Sequence, residues 1–232
     1  MDIATAALPV PYVGPQHVHH PRTERARRVL NVAVAATGLV LTAPLLALIA
    51  AAIRLSSPGP ILFRQPRIGL DRRRGFGGNS RRVVDLGGQP FTIYKFRTMR
   101  PSADGPAEQV WATPDDPRVT RLGRVLRKYR LDELPQLYNV LLGDMNVVGP
   151  RPEQPAIFAE LRQQVPGYPL RQRVRPGITG WAQVNHHYDR TVADVHRKVA
   201  YDLEYLQRQS LAEDLKIMLQ TVPAVAFKRG AW

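Results

Sequence analysis

The chain has 232 residues, a length that fits one domain with appendages. Lys and Arg number 33 against 19 Asp and Glu, a net charge of +14. With 44% apolar residues the chain can build a core, so global disorder is excluded. The absence of cysteine excludes a disulfide scaffold, a thiolate metal site and thiol catalysis, and the charge calls for an anionic partner: nucleic acid, an acidic membrane surface or phosphorylated substrates.

Residues 1–21, with Pro9, Pro11, Pro15 and Pro21 and no periodicity, read as a disordered tail. No basic stretch leads into an apolar one there, so they are not a signal peptide. His17, His19 and His20 read as solvated. From Val29 to Ile53 run 25 uncharged residues, 20 of them apolar. An unbroken helix of that length is about 37 Å long, enough to cross a membrane. Two features point instead to a re-entrant helix that dips in and returns. Pro44 removes a backbone hydrogen bond within the run. Basic residues stand on both flanks, Arg22, Arg25, Arg27 and Arg28 before and Arg54, Arg64 and Arg67 after, so a straight span puts one cluster on the wrong side. The alternatives are that straight span and a buried soluble helix.

Ser56-Ser57-Pro58-Gly59-Pro60 breaks the chain, and Ile61-Leu62-Phe63 is a short strand candidate. Residues 64–100 hold ten Arg or Lys against Asp71 and Asp85. The loop with Gly75, Gly77 and Gly78 is neither a dinucleotide fingerprint nor a P-loop. Phe91 to Arg97 alternates and reads as a strand with Lys95 and Arg97 near its end. Arg118, Arg121, Arg124, Arg127 and Arg130 then recur every third residue beside Leu122, Val125 and Leu126. On a helix this makes an arginine face, either solvated or suited to phosphate.

Leu134, Leu137, Tyr138 and Leu141 predict an amphipathic helix beginning near Asp132, with Gly143 as its C′ residue. Two readings of Asp132 stand side by side. It is a helix cap, or it forms with Glu133 an acidic pair that serves divalent-metal phosphoryl transfer among arginines. Gly149-Pro150-Arg151-Pro152 and the stretch Val174 to Trp181 read as rigid loops, each with an arginine. His186 and His187 read as loop or substrate contacts and His196 as structural. Tyr201 to Gln209 reads as helix. Ser210 to Glu213 is a capping box opening another, whose stripe of Leu211, Leu215, Met218, Leu219 and Val222 reads as core packing. The basic end with Lys228, Arg229 and Trp232 makes interfacial docking the alternative.

In order along the chain, the Pro-broken segment and Ser57-Pro58-Gly59-Pro60 are followed by Tyr94-Lys95-Phe96-Arg97-Thr98-Met99, Leu131-Asp132-Glu133-Leu134-Pro135-Gln136, Gly143-Asp144-Met145 and Val148-Gly149-Pro150-Arg151-Pro152. The stretch from Val174 to Asn185 and then Asp214-Leu215-Lys216-Ile217 complete the set. Over residues 22–229 this succession resembles the bacterial sugar transferase family of monotopic phosphoglycosyl transferases, in its compact form.

The resemblance implies an α/β, mostly helical fold. It has a small soluble catalytic domain, a re-entrant membrane helix and interfacial amphipathic helices. Residues 1–21 are then a tail, 22–56 the re-entrant helix and 57–232 a catalytic domain on the cytoplasmic face of the bacterial inner membrane. It also implies transfer of a phosphosugar from a UDP-sugar to polyprenyl (undecaprenyl) phosphate, with release of UMP, at the start of exopolysaccharide or O-antigen-type glycan assembly. By position, Asp132 matches the nucleophile and Mg²⁺ ligand and Glu133 its partner. Lys95, Arg127, Arg151 and Arg175 are the expected phosphate contacts, with Asp214 and His187 as further site residues. Where many members carry Gly-Arg this chain has His186-His187; if that Arg contacts a phosphate, His187 or nearby Arg190 would have to substitute, or the donor differs. The Arg-rich stretch near 72–82 is unusual for the family. The expected partners are the UDP-sugar, the polyprenyl phosphate and the lipid bilayer, with room for a homodimer and none for nucleic acid. A basic nucleic-acid-binding module and a non-enzymatic membrane scaffold are the competing classes.

Overall fold

The apolar run and its basic N-terminal flank form one helix, α1 (Pro21–Ser56), 36 residues long. The computed structural model describes residues 21–71, 87–100, 116–185 and 191–226. Residues 1–20 of the predicted tail, the Arg-rich 72–82 stretch, His186, His187, Arg190 and the basic end at 228–232 lie outside the described residues. Two features weaken the middle of α1. Pro44 has no N–H to give to the Val40 carbonyl, and the Thr42 hydroxyl donates back to the Gly38 carbonyl at 2.7 Å. Around this point Val40, Leu41, Leu45 and Leu48 are exposed. The flanking parts are not. Ala35 enters the main core, and Ile49 and Ile53 build a second, smaller core with Phe96 and Leu126.

Beyond the breaker cluster, β1 (Leu62–Ile68) pairs antiparallel with β2 (Pro90–Phe96), Leu62 opposite Phe96 and Ile68 opposite Pro90. The predicted strand at 91–97 lies on β2 within a residue; β1 runs five residues past the predicted Ile61–Phe63. Helix α2 (Arg121–Lys128) starts where the Thr120 hydroxyl accepts the Gly123 N–H at 2.8 Å. That start corrects the predicted arginine face. Arg118 lies before the cap and is tied to Asp116 at 2.6 Å. Arg130 lies past the helix end, in the left-handed region at φ 52°. Arg121, Arg124 and Arg127 remain on the helix.

A 3-10 turn over Leu131–Glu133 leads into α3 (Gln136–Leu142), which ends on Gly143 at φ 89°, as predicted. Pro135 opens α3 with no side-chain cap, so Asp132 is not its N-cap. Only the second of the segments read as rigid loops holds a strand: β4 (Gly177–Thr179) lies within Val174 to Trp181 and pairs in parallel with β3 (Asn146–Val148), which ends just before the Gly149–Pro152 loop. A Cβ on Gly149 would meet the Arg175 carbonyl, and one on Gly177 would meet the Gly149 nitrogen, so glycine at both positions lets the two chains close.

Helix α4 (Pro155–Gln164), a 3-10 turn over Tyr168–Arg173, α5 (Trp181–Asn185), α6 (Val192–Arg208) and α7 (Leu211–Ala226) complete the described fold. The mostly helical architecture with small sheets and a long apolar N-terminal helix matches the expectation. The main core gathers Val140, Met145, Val148, Phe158, Leu203 and Ile217. One expectation reverses. On α7 the buried face carries Asp214 and Ile217, while Leu215, Leu219 and Val222 of the predicted core stripe are exposed. Asp214 must point inward to meet Arg27, and that fixes the rotation of the helix.

Candidate active site

The acidic pair owes its place to the reversal at Arg130. The left-handed residue ends α2, and the 3-10 turn that follows lays Asp132 and Glu133 against β2, the strand that carries Lys95. Both carboxylates are 8% exposed, so neither relies on water alone.

Their surroundings differ. Glu133 accepts both prongs of the Arg151 guanidinium, at 2.6 Å and 3.1 Å, with Lys95 at 3.5 Å and Arg130 at 3.9 Å. Burial raises the Glu133 carboxyl, but Arg151 and Lys95 outweigh it and hold it well below the usual carboxylate range. The same pairing raises the Arg151 pKa. Asp132 accepts no hydrogen bond among the described residues. Burial, and then the adjacent Glu133, push its carboxyl upward against the pull of Lys95, Arg127 and Arg151. Arg127 acts on Asp132 through its field and forms no ion pair among the described residues. One carboxylate is therefore locked and the other is open, beside cations with capacity to spare.

Arg151 is aimed by an unusual loop. Pro150 and Pro152 have no N–H, so the loop cannot brace itself through its own amides. Four successive carbonyls are instead taken by donors from elsewhere. Gly177 N–H donates to Pro150 (2.9 Å), Arg171 to Arg151 (3.0 Å), Arg67 to Pro152 (3.0 Å) and Ile68 N–H to Glu153 (2.9 Å). Arg67, read from the sequence only as part of a basic flank, thus faces the site. Burial and the neighbouring Arg151 lower its pKa to about 10 against the pull of Glu153. The Glu153 side chain is held in turn by Lys198 of α6 at 2.8 Å.

Lys95, Arg127 and Arg151 thus gather around the dyad. Arg175 and Asp214 do not. Arg175 donates to the Gly143 carbonyl at 3.1 Å, closing the end of α3, and pairs with Glu24 of α1 at 3.0 Å. Asp214 is fully buried, where it binds Arg27 of α1 and the Tyr205 hydroxyl, each at 2.7 Å. Both are fastenings of the long helix, reached from distant parts of the chain. Arg97 has the same role at the helix exit, donating to the Ser57 and Pro58 carbonyls at 2.7 Å and 2.9 Å. His187 lies outside the described residues.

No group of three or more potential metal ligands occurs among the described residues. A Mg²⁺ that takes one carboxylate and completes its shell with diphosphate oxygens and water needs no such group. The open Asp132 fits that arrangement; Glu133, spent on Arg151, does not.

The family described as bacterial sugar transferase matches residues 22–228. The chain is 47% identical over 208 residues to the UDP-glucose:undecaprenyl-phosphate glucose-1-phosphate transferase of Caulobacter vibrioides, covering 89% of this chain and 72% of that protein. It is 41% identical over 198 residues to the protein of that name from Escherichia coli, covering 84% of this chain but 39% of the relative. With the exopolysaccharide production protein ExoY of Rhizobium meliloti it shares 35% identity over the full length of both. The chain belongs to the bacterial sugar transferase family.

Proposed function

We propose that this chain transfers a sugar phosphate from a UDP-sugar to undecaprenyl phosphate through a covalent intermediate on Asp132, at the start of exopolysaccharide assembly. The open Asp132 carboxylate beside the locked Glu133 carries this reading. Donor and acceptor are both anionic, and a direct attack of one on the other meets charge repulsion. A carboxylate nucleophile divides the reaction into two displacements. An Asp132 oxygen attacks the sugar-bearing phosphorus, the bond to the neighbouring phosphate breaks, and UMP leaves with the electron pair. An acceptor phosphate oxygen then attacks the same phosphorus, and the Asp132 carboxylate departs unchanged. Arg127 and Lys95 neutralise charge on the transferred group, while Arg151 keeps Glu133 out of competition for it. Mg²⁺ bound by Asp132 and the diphosphate would shield the donor's charge.

The bilayer is the natural place to meet a polyprenyl acceptor, and the contacts of α1 support a re-entrant course. The short run from Leu131 to Leu141 meets α1 three times. The Leu141 carbonyl accepts Arg28, the Leu137 side chain lies against Gly38, and Leu131 packs on the core built by Ile49 and Ile53. Those eleven residues extend about 15 Å as helix, whereas Arg28 to Ile53 laid straight is about 37 Å. A bend at Pro44 reconciles the lengths. It leaves both basic flanks on one face, the cytoplasmic one by the charge rule.

The test is release of UMP from a panel of UDP-sugars by the full chain in nanodiscs, with and without undecaprenyl phosphate. Turnover that requires the acceptor, with about one equivalent of UMP released in its absence, is the expected result. No UMP from any donor would overturn the proposal.

A further inference from the structure

We propose that Arg171, held by Asp202, is the positioning residue that sets the Arg151 fork on Glu133. The inference deepens the phosphosugar-transfer reading and rests on it for its kinetic consequence. Arg171 lies in the 3-10 turn after α4 and Asp202 on α6; their side chains are 0% and 2% exposed. The Arg171 Nε donates to Asp202 at 2.6 Å, its Nη2 donates to the Arg151 carbonyl at 3.0 Å, and its guanidinium lies 4.9 Å from the centre of the Tyr168 ring. One planar group therefore joins α6 to the backbone of the residue that grips Glu133.

Stability does not require such a pair. A buried ion pair is commonly matched or bettered by apolar side chains of similar volume, because two charges must be stripped of water. What the pair supplies here is direction. The Arg151 carbonyl is one bond from its Cα, so fixing it fixes the line along which the side chain leaves the loop. Flanking prolines leave the loop few amides with which to do this itself. Of the four carbonyls from Pro150 to Glu153, the outer two go to main-chain donors and the inner two to Arg171 and Arg67. Lysine at 171 could serve Asp202 or the Arg151 carbonyl, but its compact ammonium lacks the spread to hold both.

The test compares wild type, the double variant Arg171→Met/Asp202→Leu, and Arg171→Lys as full chains in nanodiscs. Thermal midpoint, single-turnover UMP release against donor concentration, and hydrogen exchange of the 147–155 backbone are measured for each. The double variant should stay folded, losing no more midpoint than Arg171 contributes through its charge beside Glu153, exchange faster in 147–155, and release UMP about 10–100-fold more slowly, with the donor KM changed far less. A double variant with both wild-type stability and wild-type rate would overturn the proposal, since the pair would then only fill space. Should the double variant fail to fold, Arg171→Lys decides: a folded protein with the same rate loss supports positioning, and a wild-type rate overturns it. Absence of UMP release from wild type would count against the transfer reading alone. Exchange in 147–155 then decides the positioning claim, faster exchange supporting it and unchanged exchange sinking it.

Discussion

Arg151 grips both oxygens of Glu133, at 2.6 Å and 3.1 Å, while the carboxylate next in the chain, Asp132, accepts no hydrogen bond among the described residues. Two adjacent acids thereby acquire different chemistry. Asp132→Asn should abolish both acceptor-independent UMP release and retention of radiolabelled sugar phosphate on denatured protein. Glu133→Gln should slow turnover yet keep detectable labelling, because the proposed nucleophile survives. Comparable labelling in Asp132→Asn would move the nucleophile elsewhere.

Replacing Arg151 with lysine keeps the charge and loses the fork. Activity should fall by one to two orders of magnitude, about 1.4–3 kcal/mol of transition-state stabilisation. Steady-state UMP release by the folded variant measures it. Near-normal turnover would show that the two-pronged contact is dispensable.

Asp214 is predicted to matter for assembly rather than chemistry. Asp214→Leu leaves Arg27 buried without its anion and should cost about 3–5 kcal/mol. Denaturant unfolding in detergent reads this directly. A variant of unchanged stability with abolished turnover would return Asp214 to the reaction.

Glu153 links stability to pH. Burial raises its pKa, but Lys198 and Arg171 prevail and hold it at about 2, below the 4.5 of a free glutamate. A depressed carboxyl stabilises the folded chain above its unfolded pKa and loses that contribution as pH falls from about 4.5 toward 2. Lys198→Met should therefore destabilise at pH 7 by about 1.5–3 kcal/mol. The gap from wild type should close progressively below pH 4.5. A gap independent of pH would mean the loss comes from packing.

The course of α1 can be read with cysteines at Thr23 and Ser57, since the chain has none of its own. Both should react with an impermeant thiol reagent from the cytoplasmic side. Pro44→Ala restores a continuous helix and should shift part of the population to one site on each side. Labelling of either position from outside in the unmodified sequence would mean a true span.

The sequence was most informative where chemistry is local. Asp132, Glu133, Lys95 and Arg151 stand in short, unusual strings, and Gly143 ends its helix as its type demands. It misled where a third residue decides the outcome. The arginine repeat from 118 to 130 looks helical throughout, yet the Thr120 hydroxyl starts the helix late and the left-handed Arg130 stops it. The three-residue strands β3 and β4 sit in Gly- and Pro-rich stretches with no alternation to betray them. Arg27–Asp214, Arg171–Asp202 and Arg67 with the Pro152 carbonyl join positions tens to hundreds of residues apart. Periodicity carries no trace of such pairs. The stripe of Leu215, Leu219 and Val222 faces outward because Asp214, not its leucines, sets how α7 turns.

The fastening of α1 bears on the order in which the protein is made. Asn31 is buried and accepts the Val147 N–H at 2.5 Å along β3, and Arg27 waits for Tyr205 and Asp214, the latter 187 residues later. The ribosome therefore delivers the apolar helix long before most of its polar partners exist. If the chain works at the bilayer as proposed, lipid is the solvent that shelters the helix until α6 and α7 emerge, and the membrane would be a holding station in biogenesis before it is a place of reaction. A nascent chain halted before Tyr205 should already sit on the bilayer, with Arg27 still within reach of water.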